Sequence, residues 1–171
     1  MTDNHHPALS FSSEAHLEDW FCENVFRLDS QRLVGRQVSL ASAGICDVLT
    51  LGPKPDAGYW LGPELPLYLN VWELKNVKAR HDALEQVCRY MRVCRAYNPA
   101  GHVNGVLLAP AFTDEVVMIA SEMPDVYLFT FGITGTRASL NLITKSRVEE
   151  EEMPALDDHV TKAIHSALGR Q

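Results

Sequence analysis

The chain has 171 residues, the size of one domain able to bury a core of its own. Apolar and charged fractions of 46% and 22% are those of a folded globular protein, excluding disordered and fibrous classes, and no apolar run is long enough to span a bilayer. A net charge of −7 argues against indiscriminate coating of nucleic acid.

Residues 1–11 read as a flexible leader. The start "MTDNHHPALSFSSE" has no basic segment followed by an apolar one, so no signal peptide is expected and a cytoplasmic location is. A first helix is predicted from Ser12 or Ser13, either able to cap it, with Leu17, Trp20, Phe21 and Val25 as its buried stripe. "RLVGRQVSL" and "GICDVLTL" read as two strands joined by the turn "ASAG". "GPKPDAGYWLGPELP" is a Pro/Gly-rich loop, and "LYLNVWELK" a third strand. Leu84, Val87, Cys88, Met91 and Cys94 recur at helical spacing, predicting a second helix from His81 to Tyr97. "GVLLAPAF" is wholly apolar, as in a strand buried on both faces. "TDEVVMIASEM" reads as a helix capped by Thr113, "DVYLFTFGI" as a fifth strand, and "GTRASLNLITKSRV" as a further one. Residues 149–171 are expected to form an acidic linker and a terminal amphipathic helix over Pro154 to Leu168, packed on the domain that spans 12–148. The order α-β-β-β-α-β-α-β predicts one α/β domain with a mixed sheet flanked by helices.

The four cysteines, Cys22, Cys46, Cys88 and Cys94, lack metal-ligand spacing and read as buried reduced thiols. The seven histidines lack it too, and "FGITGTR" lacks the lysine and helix of a phosphate-binding loop. Acid is concentrated near the ends, whereas Lys75, Lys78, Arg80, Arg89, Arg92 and Arg95 make the segment from 75 to 95 basic. A solvated helix face explains that segment on charge alone.

Chemistry concentrates at the ends of two strands. Asp47 lies among Ile45, Val48, Leu49 and Leu51, where an acid is costly to bury unless paired or bound to a cation. Glu73 and Lys75 alternate around Leu74 and so point to one side of the third strand. If the strands are neighbours, Asp47, Glu73 and the Leu74 carbonyl form an oxygen-rich site suited to magnesium, with Lys75 beside it to orient a water or stabilise negative charge. The blander alternative is a strand-end ion-pair triad with no catalytic role.

The ordered set "SEAHLEDWFCEN", "RLVGRQVSL", "GICDVLTL", "NVWELKNVK", "LEQVCRYM" and "GVLLAPAFTDE" resembles the PD-(D/E)XK nuclease superfamily, and more closely the nuclease domain of the EndoMS/NucS (RecB-like) endonucleases, over roughly Ser13 to Ile133. The resemblance implies a restriction-endonuclease-like α-β-β-β-α-β core and a Mg²⁺- or Mn²⁺-dependent DNA endonuclease. It implies Asp47 and Glu73 as metal ligands, Lys75 as the catalytic lysine, and Gln86 as the helix glutamine. A first-helix glutamate completes such sites; Glu14 and Glu18 both qualify, and Glu14 is favoured for its place in "SE..LE". Arg36, Lys78, Arg80, Arg89 and Tyr90 are the expected nucleic-acid-binding residues.

Two departures stand out. The family pattern "GRIDLL" carries a basic residue before the aspartate, where this chain has Gly44, Ile45 and Cys46. The loop after the second strand is longer and holds Tyr59 and Trp60, suited to stacking on bases or meeting a partner. No separate N-terminal DNA-binding or dimerisation domain is expected, so mismatch specificity is not assumed from the resemblance. The rival reading is a nuclease fold that no longer cuts and serves as a nucleic-acid- or protein-binding module. A weaker third is an RNA-directed or nucleotide-activated nuclease. Nothing in the sequence separates DNA from RNA, and a homodimer would suit double-strand cleavage.

Overall fold

The computed structural model describes residues 10–29, 31–55, 67–98, 101–134 and 137–143. Tyr59, Trp60, the acidic run and the terminal helix predicted over 154–168 lie outside the described residues.

Ser13 Oγ accepts the His16 amide at 3.1 Å, the cap that opens α1 (Glu14–Asp29). Leu17, Phe21 and Val25 form its buried stripe, with Trp20 half-buried at the border. Residues 1–9 of the expected leader lie outside the described residues, and Phe11, assigned to that leader from the sequence, belongs to the core. Phe11 is buried and packs on Trp20 and Phe131 at 5.2 Å between ring centroids, because an aromatic side chain there extends the apolar core.

β1 (Arg32–Ser39), β2 (Ile45–Gly52) and β3 (Tyr68–Leu74) form an antiparallel meander. The turn between β1 and β2 is a single 3₁₀ turn, Ala41–Ala43, closed by Gly44 at φ +107°, a conformation glycine adopts without steric cost. The chain then crosses through α2 (His81–Tyr97) to β4 (Val103–Leu108), which lies parallel to β3. β4 starts two residues before the predicted glycine, at Val103, because Val103 and Asn104 pair with Leu69 and Asn70. A second crossover, α3 (Asp114–Ser121), leads to β5 (Val126–Thr134), parallel to β4. Thr113 caps α3 as predicted, its hydroxyl accepting the Val116 amide at 3.4 Å. β6 (Arg137–Leu142) closes the sheet antiparallel to β5. Spatial order follows chain order from β1 to β6.

The two faces of the sheet bury separate cores. α2 and α3 share one with Leu49, Leu51, Val71, Leu107 and Leu128. α1 covers the other with Val48, Trp72, Leu74, Val106, Tyr127 and Phe129. Every residue of β3 and β4 is buried, as parallel strands covered on both faces require. Gly105 lets α2 approach β4 closely, since a Cβ there would stand 2.3 Å from both Val87 Cγ1 and Met91 Sδ.

A polar chain runs through the sheet. Gln31 Oε1 accepts from Thr50 Oγ1 at 2.8 Å and Asn70 Nδ2 at 2.6 Å, Trp72 Nε1 donates to Thr50 at 2.8 Å, and Asn104 Nδ2 donates to Asn70 Oδ1 at 2.9 Å. All five residues are buried, so each bond replaces one that water would have made. The four cysteines are free thiols; Cys46 and Cys94 are buried as expected, whereas Cys22 and Cys88 are half-buried. Among the described residues no helix is long and apolar enough to cross a membrane.

Candidate active site

The β2–β3 ladder runs from Gly52 opposite Tyr68 to Val48 opposite Trp72. One step further, the Leu74 amide donates to Asp47 Oδ2 at 2.8 Å. The carboxylate thereby takes over a backbone donor at the strand end, and Asp47 and Glu73 come together across two neighbouring strands.

Glu73 follows Leu69 and Val71 on the α2 side of the sheet and is only 1% exposed. Its Oε1 lies 2.8 Å from Lys75 Nζ, while its Oε2 is buried without a hydrogen-bond partner among the described residues. Lys75 follows the last residue of β3 and is held there by its own amide, which donates to the Leu108 carbonyl at 2.8 Å. Its ammonium also meets Glu14 Oε1 at 3.5 Å, bringing the start of α1 to the site.

The electrostatics follow from this crowding. Burial, with the Asp47 charge adding to it, pushes the Glu73 carboxyl up to about 7, against the opposing pull of Lys75. Asp47 is raised by burial, partly offset by the Leu74 amide and Lys75. For Lys75 burial alone would lower the ammonium, but the Glu73 bond and the charges of Glu73, Glu14 and Asp47 outweigh it and raise it. Two acids that resist ionisation, one with an oxygen lacking any donor, form a place where a cation relieves an unfavourable arrangement.

The donor set fits a hard divalent cation of modest protein coordination. Among the described residues no three His, Cys, Asp or Glu side chains converge on one point. A cation here would draw on the Asp47 and Glu73 carboxylates and complete its shell with backbone oxygen and water, as magnesium commonly does.

The other predicted residues divide into three groups. Glu18 is 6% exposed, and both of its oxygens are occupied: Oε1 by Arg36 Nε at 2.9 Å, Oε2 by the Gln37 amide. Arg36 also reaches Asp19 at 2.6 Å, so its guanidinium is spent on α1. Gln86 donates to the Tyr90 hydroxyl at 3.1 Å, and that hydroxyl donates to the Ile45 carbonyl at 2.7 Å. Tyr90 is 1% exposed, so it pins the start of β2 from inside the core instead of offering a surface to a ligand. Arg89 donates to the Ala43 carbonyl at 2.9 Å and stacks over Tyr90, holding the same turn. Lys78 and Arg80 are exposed between β3 and α2.

Sequence reasoning missed Gln37. Its φ of +48° is a left-handed backbone in a non-glycine residue inside a strand, and its amide reaches both Glu18 and Asp47 Oδ1, the latter at 3.5 Å. Only its position beside Arg36 in "GRQ" hinted at it, and regular alternation would have turned it away from Arg36.

No protein-family profile matches the chain. No curated protein matches it. Solved structures do. A repair endonuclease from Pyrococcus abyssi matches with a TM-score of 0.52 and 22% identity, over 75% of this chain and 50% of that one. This chain shares that endonuclease's fold. An EndoMS–dsDNA2 complex matches with a TM-score of 0.47 and 24% identity, over 67% of this chain and 42% of its own, and EndoMS in apo form with 0.45 and 22%, over 65% and 43%. This chain therefore spans half or less of the length of these proteins. The α/β, restriction-endonuclease-like core predicted from the motif order is the architecture observed, with its acid–acid–lysine set at the ends of β2 and β3.

Proposed function

We propose that this chain is a divalent-metal-dependent endonuclease domain that hydrolyses phosphodiester bonds in DNA. The observation that carries the reading is Glu73 Oε2: a buried carboxylate oxygen with no donor among the described residues, beside Asp47 and two positions before Lys75, on a fold shared with a repair endonuclease. When bound, Mg²⁺ or Mn²⁺ supplies Lewis acidity toward phosphate and lowers the pKa of water. Asp47 and Glu73 would hold it. Lys75, the one ammonium at this cluster among the described residues, aligns the attacking water and offsets charge developing on the phosphate. Glu14 sets the direction of the Lys75 side chain. Lys78 and Arg80, exposed near the strand end, meet the backbone of the nucleic acid with salt-sensitive contacts.

A cleavage panel of single-stranded, duplex, branched and mismatched DNA, with RNA alongside, tests this. Wild type with Mg²⁺ or Mn²⁺ should cut at least one form. EDTA should stop it, and Lys75→Ala should lose it. Wild type and Lys75→Ala behaving alike on every substrate would refute the catalytic claim.

The rival reading, a non-cutting binding module, draws on Arg36, whose guanidinium is committed to Glu18 and Asp19 and not to a phosphate. Retained DNA binding with no metal-dependent cleavage would select it.

A further inference from the structure

We infer that Gln37 is a positioning residue for the cation site: its side-chain amide ties the Asp47 carboxylate to the buried Glu18 anchor, so that Asp47 faces Glu73 across a single divalent ion. This rests on the metal-site reading above and adds to it a residue outside the acid–acid–lysine set.

The register sets the geometry. Arg36 pairs with Val48 and Val38 with Cys46, so Gln37 stands opposite Asp47. In a regular strand Arg36 and Gln37 would project to opposite faces. The left-handed φ of Gln37 breaks that alternation, and both side chains reach Glu18 on α1. Both Glu18 oxygens are thereby satisfied, and the carboxylate becomes a fixed point. The same Gln37 nitrogen lies 3.5 Å from Asp47 Oδ1, and the Leu74 amide holds Oδ2 at 2.8 Å. Each Asp47 oxygen then has one protein donor and keeps lone-pair capacity for a cation. The nitrogen must face the two carboxylates, because the amide oxygen would be repelled by both.

The residue type matters. Glu18 and Asp47 repel each other, and a donor shared between them reduces that repulsion. A lysine or arginine at position 37 would do so too, but its charge would oppose a cation. A neutral amide restrains the carboxylate without competing for the site. Partners one bond removed from metal ligands commonly change metal affinity by roughly ten- to a hundredfold when lost.

The test is Mn²⁺ affinity, measured calorimetrically at 25 °C on wild type, Gln37→Gly, Gln37→Asn and Asp47→Ala, each checked for fold by circular dichroism. Glycine keeps the left-handed backbone and deletes the amide. Asparagine tolerates that backbone and keeps an amide one methylene too short to reach both acids. Thr113→Ala, a destabilising change on α3 that touches neither acid, controls for stability alone. Both Gln37 variants should bind Mn²⁺ about tenfold more weakly than wild type, and Thr113→Ala should match wild type. If Asp47→Ala abolishes binding while both Gln37 variants stay within about twofold of wild type, this inference fails and the metal site stands. If wild type binds no Mn²⁺, the metal site fails and the inference with it. Should Gln37→Gly not fold, Gln37→Asn decides the result.

Discussion

Glu73 gives one oxygen to Lys75 at 2.8 Å and buries the other with no donor among the described residues. The carboxyl is raised from an ordinary value of 4.5 to about 7 by burial and by Asp47. Between those two pH values the folded protein keeps a proton that the unfolded chain has released. Protons bound in the native state exceed those in the unfolded state, so stability falls as pH rises through the window. Glu73→Gln mimics the protonated acid and escapes this loss. In EDTA, wild type and Glu73→Gln should be similar near pH 4.5, and by pH 8 the variant should be more stable, by on the order of 3 kcal/mol. Urea unfolding at about pH 4.5, 6 and 8 measures the gap. A constant gap would mean that Glu73 is not perturbed.

Divalent cations should act in the opposite sense. Binding requires the ionised carboxylates, so the increase in melting temperature caused by Mn²⁺ should be small near pH 5 and grow toward pH 8. Asp47→Ala should remove it at every pH. A shift of equal size in wild type and Asp47→Ala would place cation binding elsewhere.

Lys75 has two roles that one substitution separates. Lys75→Ala removes the ammonium aimed at the reacting phosphate, and cleavage should fall by at least about a hundredfold. It also removes the one ion-pair partner that Glu73 has among the described residues. Glu73 responds by keeping its proton to still higher pH, so the fold survives near neutral pH and weakens under alkaline conditions. Cleavage rate and a melting curve on the same preparation distinguish lost chemistry from lost structure.

The core of this site was legible because its logic is local. Glu73 and Lys75 share a side by strand alternation, and the run from Leu67 to Leu74 is apolar enough to be a buried strand whatever its neighbours. Ser13 and Thr113 announced their helices through side chains that have few other uses at such positions. What could not be read depends on long-range encounters. Arg36 looked free to meet phosphate, yet Glu18 and Asp19 capture it from a helix 17 to 18 residues away. Tyr90 has the period of a helix-border residue, but its neighbours in the fold bury it. Gln37 sits in a backbone conformation that no residue-type preference selects, so its reach to Asp47 exists only once β1 and β2 are paired.

The polar chain through the sheet sets the register that brings Glu73 to Asp47. Gln31 Oε1 accepts from both Thr50 and Asn70, and Thr50 in turn accepts from Trp72, the residue before Glu73. Gln31→Ala would strand the buried Thr50 hydroxyl, leave Asn70 Nδ2 with its longer bonds to the Pro53 and Tyr68 carbonyls at 3.3 and 3.5 Å, and open a cavity beside Gly52. A loss of about 2–3 kcal/mol is expected by urea unfolding, since each buried polar group left unsatisfied costs about 1–3 kcal/mol. A loss below about 0.5 kcal/mol would show that the network is not needed for stability.

Gly105 tests the packing beneath the site. It pairs with Val71 on β3, two residues before Glu73, and faces Val87 and Met91 of α2. An alanine Cβ would stand 2.3 Å from Val87 Cγ1, closer than van der Waals contact allows, so α2 must move outward or the side chains must leave their rotamers. Overpacking of this kind costs about 1–3 kcal/mol. The same outward shift would carry Tyr90 away from the Ile45 carbonyl and loosen the start of β2, on which Asp47 stands. Gly105→Ala should therefore lower the melting temperature and also weaken Mn²⁺ binding, although the substitution touches no proposed ligand. Gly105→Ser should do the same. If stability falls with Mn²⁺ affinity unchanged, the α2 contact supports the fold without setting the geometry of the acids.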